Sequence, residues 1–186
     1  MTGVQTCALP IWTFLRVGSE IAGGDLQYYR ISSQQQWYQP LTRTYTLFLG
    51  GDIGFAEGLG DKPLPFFKNY YAGGPGTVRG YSSFSLGPQD ANGTTLGGNR
   101  RLAGSAELLF PMPGAAQDRS LRLAWFVDGG NAFANRYQLN NLRYSAGLAF
   151  FWSSPLGPLR LSFAQPLNSK STDHIQRLQF TFGTGF

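Results

Sequence analysis

Hydrophobic and polar side chains alternate with a period of two over most of the chain after residue 11. In residues 120–128 one face carries large apolar side chains, namely Leu121, Leu123, Trp125 and Val127. The opposite face carries Ser120, Arg122, Ala124, Phe126 and Asp128. Residues 143–152 and 177–186 repeat this pattern. A period of two is typical of a β-strand with one apolar side, so the chain is predicted to be all-β.

About eight strands of roughly ten residues are predicted, the length that crosses a membrane when the strand is tilted. Their approximate bounds are 13–20, 25–38, 42–55, 99–111, 120–129, 142–154, 157–167 and 174–186. The connections alternate between short turns and longer loops, of which the longest covers about 56–98. Outer-membrane barrels have short periplasmic turns and longer extracellular loops. The pattern therefore predicts an antiparallel transmembrane β-barrel fold with its C-terminus on the periplasmic side.

The composition also fits a membrane β-barrel. Only 13% of the residues are charged, against about 25% in an average domain, and 15% are aromatic. The net charge of +5 is scattered, with Arg100 and Arg101 as the only adjacent basic pair, so nucleic acid is not an expected partner. One alternative stays open at this point. A soluble β-barrel or sandwich that binds a small ligand would have the same alternation, with its apolar faces turned inward.

The first eleven residues, MTGVQTCALPI, differ from the rest of the chain. They carry no charge and no alternation, and they contain Cys7, the single cysteine. A secretory signal would begin with basic residues, but none precedes Arg16. Residues 1–11 are therefore predicted to be a non-native leader, and residues 12–186 to be the barrel part. No disulfide is expected from one cysteine.

A glycine-rich segment, GGPGTVRGY, surrounds Arg79. Glycine permits backbone angles that other residues avoid, so the segment is predicted to hold this arginine in a fixed place. It matches neither the phosphate-binding G-x-x-x-x-G-K-[ST] loop nor G-x-G-x-x-G. No Ser/His/Asp or Cys/His set is present either, so no enzyme activity, cofactor or metal site is expected.

Several segments together resemble the C-terminal barrel region of the BamA family of outer-membrane protein assembly factors. They are GGPGTVRGY, LGGNRRLAGSAELLFP, FVDGGNAF and SPLGPLRLSFAQP, in that order, and the resemblance covers essentially all of residues 12–186. The V-R-G-[FY] tetrad alone is shared with TamA and the two-partner secretion transporters. The resemblance implies the second half of a sixteen-stranded barrel in the bacterial outer membrane. It also implies periplasmic POTRA domains, outside this chain, that receive clients and bind accessory lipoproteins.

The resemblance also assigns roles within the long loop. In this family the loop folds into the lumen, and the tetrad arginine meets acidic side chains on the inner barrel wall. Here the tetrad is Val78, Arg79, Gly80 and Tyr81. The matching acids are Glu107 and Asp128, and alternation independently places both on the polar faces of their strands. The resemblance therefore implies a lock in which Arg79 bridges two carboxylates through paired hydrogen bonds.

The last strand is implied to form one side of a weak seam where nascent outer-membrane proteins add by β-augmentation. Its implied seam and signal residues are Leu178, Phe180, Phe182, Gly183 and Phe186. A simpler interpretation is a closing strand with a terminal aromatic at the membrane interface. The expected partners are the lipid bilayer, nascent outer-membrane proteins and accessory lipoproteins. A secretion transporter or a passive pore remains the alternative function.

An open sheet is expected rather than a closed barrel. Eight strands can close, but side chains then fill the lumen and leave no room for the long loop. We therefore expect unpaired edge strands and residues 70–88 lying over the concave face.

Overall fold

The computed structural model describes residues 12–24, 26–60, 62–114 and 120–183. The predicted leader, residues 1–11, and the terminal Phe186 lie outside the described residues. Ten strands are present in the described part: β1 Trp12–Ala22, β2 Tyr28–Pro40, β3 Thr46–Gly58, β4 Gly80–Tyr81, β5 Arg100–Pro111, β6 Leu121–Phe133, β7 Arg143–Ser154, β8 Gly157–Pro166, β9 Ile175–Gln176 and β10 Leu178–Phe182. Two single-turn 3₁₀ helices lie at Phe66–Lys68 and Leu139–Asn141.

Eight of these strands form one antiparallel sheet in the order β1-β2-β3-β5-β6-β7-β8-β10. Neighbours in the sheet are neighbours in sequence, apart from the short β4 and β9, which pair with each other. Within the described ranges no ladder joins β1 to β10, so both ends of the sheet are edges. The prediction of an open antiparallel all-β sheet of about eight strands is confirmed.

The two faces of the sheet have opposite character. The outer face, defined here as the face that carries Trp125, exposes large apolar side chains: Leu15, Val17, Ile53, Trp125, Val127, Leu148, Phe163 and Phe180. Trp125 is 58% exposed, whereas its neighbours Ala124 and Phe126 on the inner face are buried. A soluble barrel would bury the apolar face, so the soluble alternative is wrong. An apolar outer band around a polar interior is the arrangement of a membrane barrel.

No helix among the described residues combines the length and the hydropathy needed to span a membrane.

The long loop between β3 and β5 packs onto the inner face. Small inward side chains leave room for it, namely Ala103, Ala124, Ser145, Ala149, Ser162 and Ala164, all buried. Four loop residues, Ala72, Val78, Tyr81 and Leu86, form a core cluster with Ala132 of β6. The core of this chain therefore lies between the loop and the sheet, as expected from the size of the loop.

Two predicted strand boundaries are wrong for identifiable reasons. The strand expected from residue 42 begins at Thr46, because residues 41–45 form a turn in which the Thr42 hydroxyl accepts hydrogen bonds from the amides of Thr44 and Tyr45. The strand expected to end at Gly129 continues to Phe133. The ring of Tyr144 lies where a side chain at Gly129 would be, so this glycine is covered within the sheet.

The last predicted strand, residues 174–186, is also not continuous. Among the described residues of this segment, Ile175–Gln176 pairs with the loop strand β4 and Leu178–Phe182 pairs with β8. Alternation could not show this difference, because both parts have strand geometry and only their partners differ.

The exposed outer face gives a direct test of membrane insertion. Val127 lies near the middle of β6 and is exposed. In lipid, Val127→Arg should cost about 2–4 kcal/mol, as arginine does on the lipid face near the bilayer midplane. Denaturant unfolding of the full-length gene product in vesicles would measure the cost. The control is Asn92→Arg at an exposed loop position, which should stay within about 0.5 kcal/mol. Equal effects of the two variants would contradict insertion.

Candidate functional site

Glycines shape the path of the loop toward the wall. Gly73, Gly74 and Gly80 all have positive φ, at 99°, 92° and 88°, which other residues rarely adopt. The turn is closed because the Gly74 amide donates to the carbonyl of Val78, and the Thr77 amide donates to the carbonyl of Gly74. At Gly80 an added Cβ would lie 3.1 Å from the Cβ of Ala164 on β8. Glycine at this position therefore lets the tetrad lie directly against the wall.

Arg79 binds the carboxylate of Asp128 with both side chain and backbone. Its Nε donates to Oδ2 at 2.6 Å and its Nη2 donates to Oδ1 at 2.6 Å. The backbone amide of Arg79 donates to Oδ2 as well, at 3.1 Å. Only 2% of Arg79 and 1% of Asp128 remain exposed. A paired, charge-assisted contact of this kind fixes both the position and the orientation of the guanidinium.

The second acid, Glu107, completes the arrangement from β5. Its Oε1 lies 2.8 Å from Nη2 of Arg79. Ser105, two residues away on the same face, accepts a hydrogen bond from Nη2 at 3.0 Å and donates one to Oδ1 of Asp128 at 2.7 Å. The structure therefore brings together the three charged residues that the sequence indicated, and it adds Ser105, which the sequence analysis missed.

Arg160 of β8 is a further missed member of this cluster. Its Nη2 donates to Oε1 of Glu107 at 2.6 Å, so this carboxylate oxygen lies between two guanidinium groups. The signal for it was present in the sequence. Arg160 shares its strand face with Ser162 and Ala164, which makes it a charged residue directed into the interior.

An aromatic ring supports the guanidinium of Arg79. The Cζ atom lies 3.4 Å from the centre of the Phe126 ring, within the range of a cation–π contact. Space for the ring comes from Gly147 on β7, where an added Cβ would lie 2.9 Å from Phe126. Asp128 and Glu107 therefore bind the guanidinium of Arg79 at its edge, and the Phe126 ring packs against its face.

The cluster is largely buried and carries no net charge. Arg79 and Arg160 carry two positive charges, and Glu107 and Asp128 carry two negative charges. Burial alone would lower the pKa of Arg79, but Asp128 and Glu107 outweigh burial and hold that pKa above its usual value. Buried charges are tolerated when they are paired and hydrogen-bonded. Removing one member leaves the others uncompensated.

The other members of the tetrad have structural contacts. Val78 and Tyr81 are fully buried, and both belong to the loop core. Burial raises the pKa of Tyr81 to about 12, with the charge of Asp173 as a further cause, so its hydroxyl is neutral at ordinary pH. That hydroxyl donates to the carbonyl of Tyr144 at 3.3 Å. The tetrad thus contacts β6 through Arg79 and β7 through Tyr81.

The predicted seam residues of the terminal strand share one face, as their common parity requires. Leu178, Phe180 and Phe182 lie on the outer face, 55–60% exposed. Gly183 follows the strand with φ at 98°. Gln179, which the sequence analysis did not single out, is buried on the inner face and donates from Nε2 to the carbonyl of Tyr81 at 2.6 Å.

A second anchor of the loop was also missed. Tyr70 is buried with its ring between two guanidinium groups, 4.2 Å from Cζ of Arg30 and 5.1 Å from Cζ of Arg101. Arg101 in turn binds both oxygens of Asp52 at 2.7 Å. Gly54 leaves space for the Tyr70 ring, since an added Cβ would lie 2.7 Å from it. The loop is therefore fixed to β2, β3 and β5 as well as to β6.

A family model, named relatives and a solved structure all match this chain. The model of the Omp85 superfamily domain matches residues 11–186. The outer membrane protein assembly factor BamA of Neisseria meningitidis serogroup B is 46% identical over 91% of this chain and 26% of its own length. The sorting and assembly machinery component 50 homolog A of Xenopus laevis is 30% identical over 92% of this chain and 41% of its own length.

A solved structure extends the comparison to the fold. The crystal structure of BamA from Haemophilus ducreyi lacking POTRA domains 1–3 superposes with a TM-score of 0.84 at 26% identity, covering 96% of this chain and 40% of that chain. This chain therefore spans about a quarter of the Neisseria relative and two fifths of the Haemophilus structure.

Loss of the Arg79 side chain tests the geometry of the cluster. Arg79→Met should cost roughly 3–5 kcal/mol because it leaves two buried carboxylates with fewer partners, and it should make residues 73–77 susceptible to protease. Arg79→Lys should recover part of the loss, since lysine keeps the charge but lacks the planar fork. Limited proteolysis and unfolding of the full-length gene product would measure both. A loop that is equally protected in all three proteins would contradict the contacts described above.

The contact between Arg160 and Glu107 is tested by a double-mutant cycle. Arg160→Met and Glu107→Gln should be non-additive by about 0.5–3 kcal/mol, as expected of residues in one network. Arg160→Met combined with Asp173→Asn serves as the control, because Asp173 binds Arg143 in a separate pair. These two changes should add. Additivity between Arg160→Met and Glu107→Gln would exclude Arg160 from the cluster.

Proposed function

The chain belongs to the Omp85 superfamily, and on this premise we propose that it forms the C-terminal part of the barrel of a bacterial outer-membrane protein assembly factor. The whole protein would fold β-barrel clients and insert them into the outer membrane. The relatives named as assembly factors and assembly-machinery components support this proposal. This activity requires no covalent chemistry from the chain, only strand pairing and membrane insertion.

The observation that carries the proposal is the weak attachment of the terminal strand. Between described residues, β10 pairs with β8 over five residues, whereas the other ladders of the sheet cover ten to thirteen. A short ladder is the part of a sheet that is easiest to open, and an open strand edge can template an incoming strand. A client strand would therefore add next to this edge.

The locked loop gives the inner wall rigidity while the edge opens. Its contacts include β2, β3, β5, β6, β7 and β8, which form the continuous part of the sheet. A rigid wall with one weak edge confines opening to a single place. This arrangement disfavours the passive-pore alternative, because the loop fills much of the inner face.

The apolar outer face supports a position in the outer membrane, as in the bacterial relative. We include three partners in the proposal: the lipid bilayer, nascent outer-membrane proteins and periplasmic accessory lipoproteins. The lipoproteins would bind through POTRA domains, of which the Haemophilus structure is described as lacking the first three.

Reconstitution tests the proposed function. The full-length gene product in lipid vesicles should accelerate folding of a small outer-membrane β-barrel client, measured by its change in electrophoretic mobility on folding. Arg79→Ala should reduce the acceleration strongly because the wall loses its anchored loop. Arg136→Ala, at an exposed loop arginine, is the matched control and should leave folding unchanged. A wild-type protein that does not accelerate client folding would contradict the proposed function.

A further inference from the structure

The long loop contacts both edges of the sheet. At one edge Lys68 pairs with Glu20 of β1. At the other edge the tetrad strand β4 pairs with β9, the segment that leads into the terminal strand. The amide of Ser82 extends this pairing by donating to the carbonyl of His174 at 2.8 Å. The loop therefore crosses the inner face from the first strand to the last.

Gln179 connects the terminal strand itself to the tetrad. It is 3% exposed, and its Nε2 donates to the backbone carbonyl of Tyr81 at 2.6 Å. Its neighbours Leu178 and Phe180 face outward, so their side chains make no comparable contact with the loop. For β10 to leave β8, this buried hydrogen bond must break, and a buried polar group without its partner is costly.

A continuous series of bonds thus runs from the barrel wall to the terminal strand. Asp128 holds Arg79, the backbone continues to Tyr81, and Tyr81 holds Gln179. Gly80 and Tyr81 of the tetrad also pair with Gln176 and Ile175. The ladder between β10 and β8 has five pairs, flanked by two backbone bonds in which the amides of Ala164 and Gly183 donate to the carbonyls of Arg177 and Pro158. The loop contacts are therefore a substantial part of what retains the strand.

We propose that the tetrad is a latch on the terminal strand, with Gln179 as the positioning residue that fastens it. Release of the terminal strand then requires the hydrogen bond between Gln179 and Tyr81 to break. The Arg79 cluster determines how easily Tyr81 can move, because it fixes the loop to the wall. The use of this latch in client assembly rests on the proposed function. The latch itself is a property of the chain that can be measured without a client.

Hydrogen–deuterium exchange of the full-length gene product in lipid nanodiscs tests the latch. Gln179→Leu keeps a side chain of similar size but removes the hydrogen bond. It should speed amide exchange across residues 178–182 by about tenfold, the size expected for loss of one buried hydrogen bond, with exchange in β7 unchanged. The matched control is Gln176→Leu, three residues away with an exposed side chain, which should exchange as the wild type does.

Two further variants separate the latch from a general loss of stability. Gln176→Pro removes a backbone amide from β9 while leaving Gln179 intact, and it should also speed exchange in residues 178–182. Arg79→Met should also speed exchange in residues 178–182, because it releases the loop from the wall. The double variant Arg79→Met with Gln179→Leu should exchange little faster there than either single variant. Faster exchange in β7 as well would indicate global unfolding and count against the latch.

The latch is excluded if residues 178–182 exchange equally in Gln179→Leu and Gln176→Leu. It is also excluded if Arg79→Met frees residues 80–82 and leaves β10 unchanged. Neither outcome depends on client folding, so failure of the latch and failure of the proposed function are distinguishable.

Discussion

The structure depends on a buried cluster of two arginines and two carboxylates. A guanidinium with 2% exposure is stable in this place only because Asp128 and Glu107 meet it with short, directed contacts. Removing charge from water is costly, and good geometry repays the cost. The glycines at 73, 74 and 80, the small inward residues of β6 to β8 and the aromatic ring of Phe126 all allow that geometry. The path of the loop is therefore determined by the position in which Arg79 contacts Asp128 and Glu107.

This arrangement reverses the usual relation between core and surface. The outer face carries exposed tryptophan, phenylalanine and leucine side chains, whereas buried arginine, glutamate and aspartate lie inside. In water such a sheet would expose its apolar face at a high cost in free energy. In a bilayer the cost disappears, and the polar interior needs its own satisfied contacts. The loop provides many of these contacts, which is why so much of the buried core belongs to a connection rather than to the strands.

Alternation was sufficient to predict the strands and their faces, and the family resemblance supplied the two acids that meet Arg79. A period of two is a local property, and it fixes on which side each residue of a strand lies. Pairing partners are not local. The division of residues 174–186 between the loop and β8 could not be predicted, because both parts have the same pattern. Tyr70 was missed for the same reason, since its partners lie on strands distant in sequence. Arg160 was missed although alternation already placed it on the inner face, and only its partner Glu107 is distant in sequence.

The central claim is that Arg79 and Asp128 hold the loop as one paired unit. A double-mutant cycle of Arg79→Met and Asp128→Leu, read as the rate of protease cleavage within residues 73–77 of the full-length gene product, tests it most directly. Each single change leaves an uncompensated buried charge, so each should expose the loop. The double change removes both charges, and it should be less harmful than the sum, with a coupling of at least about 2 kcal/mol. Strict additivity of the two changes would contradict the account.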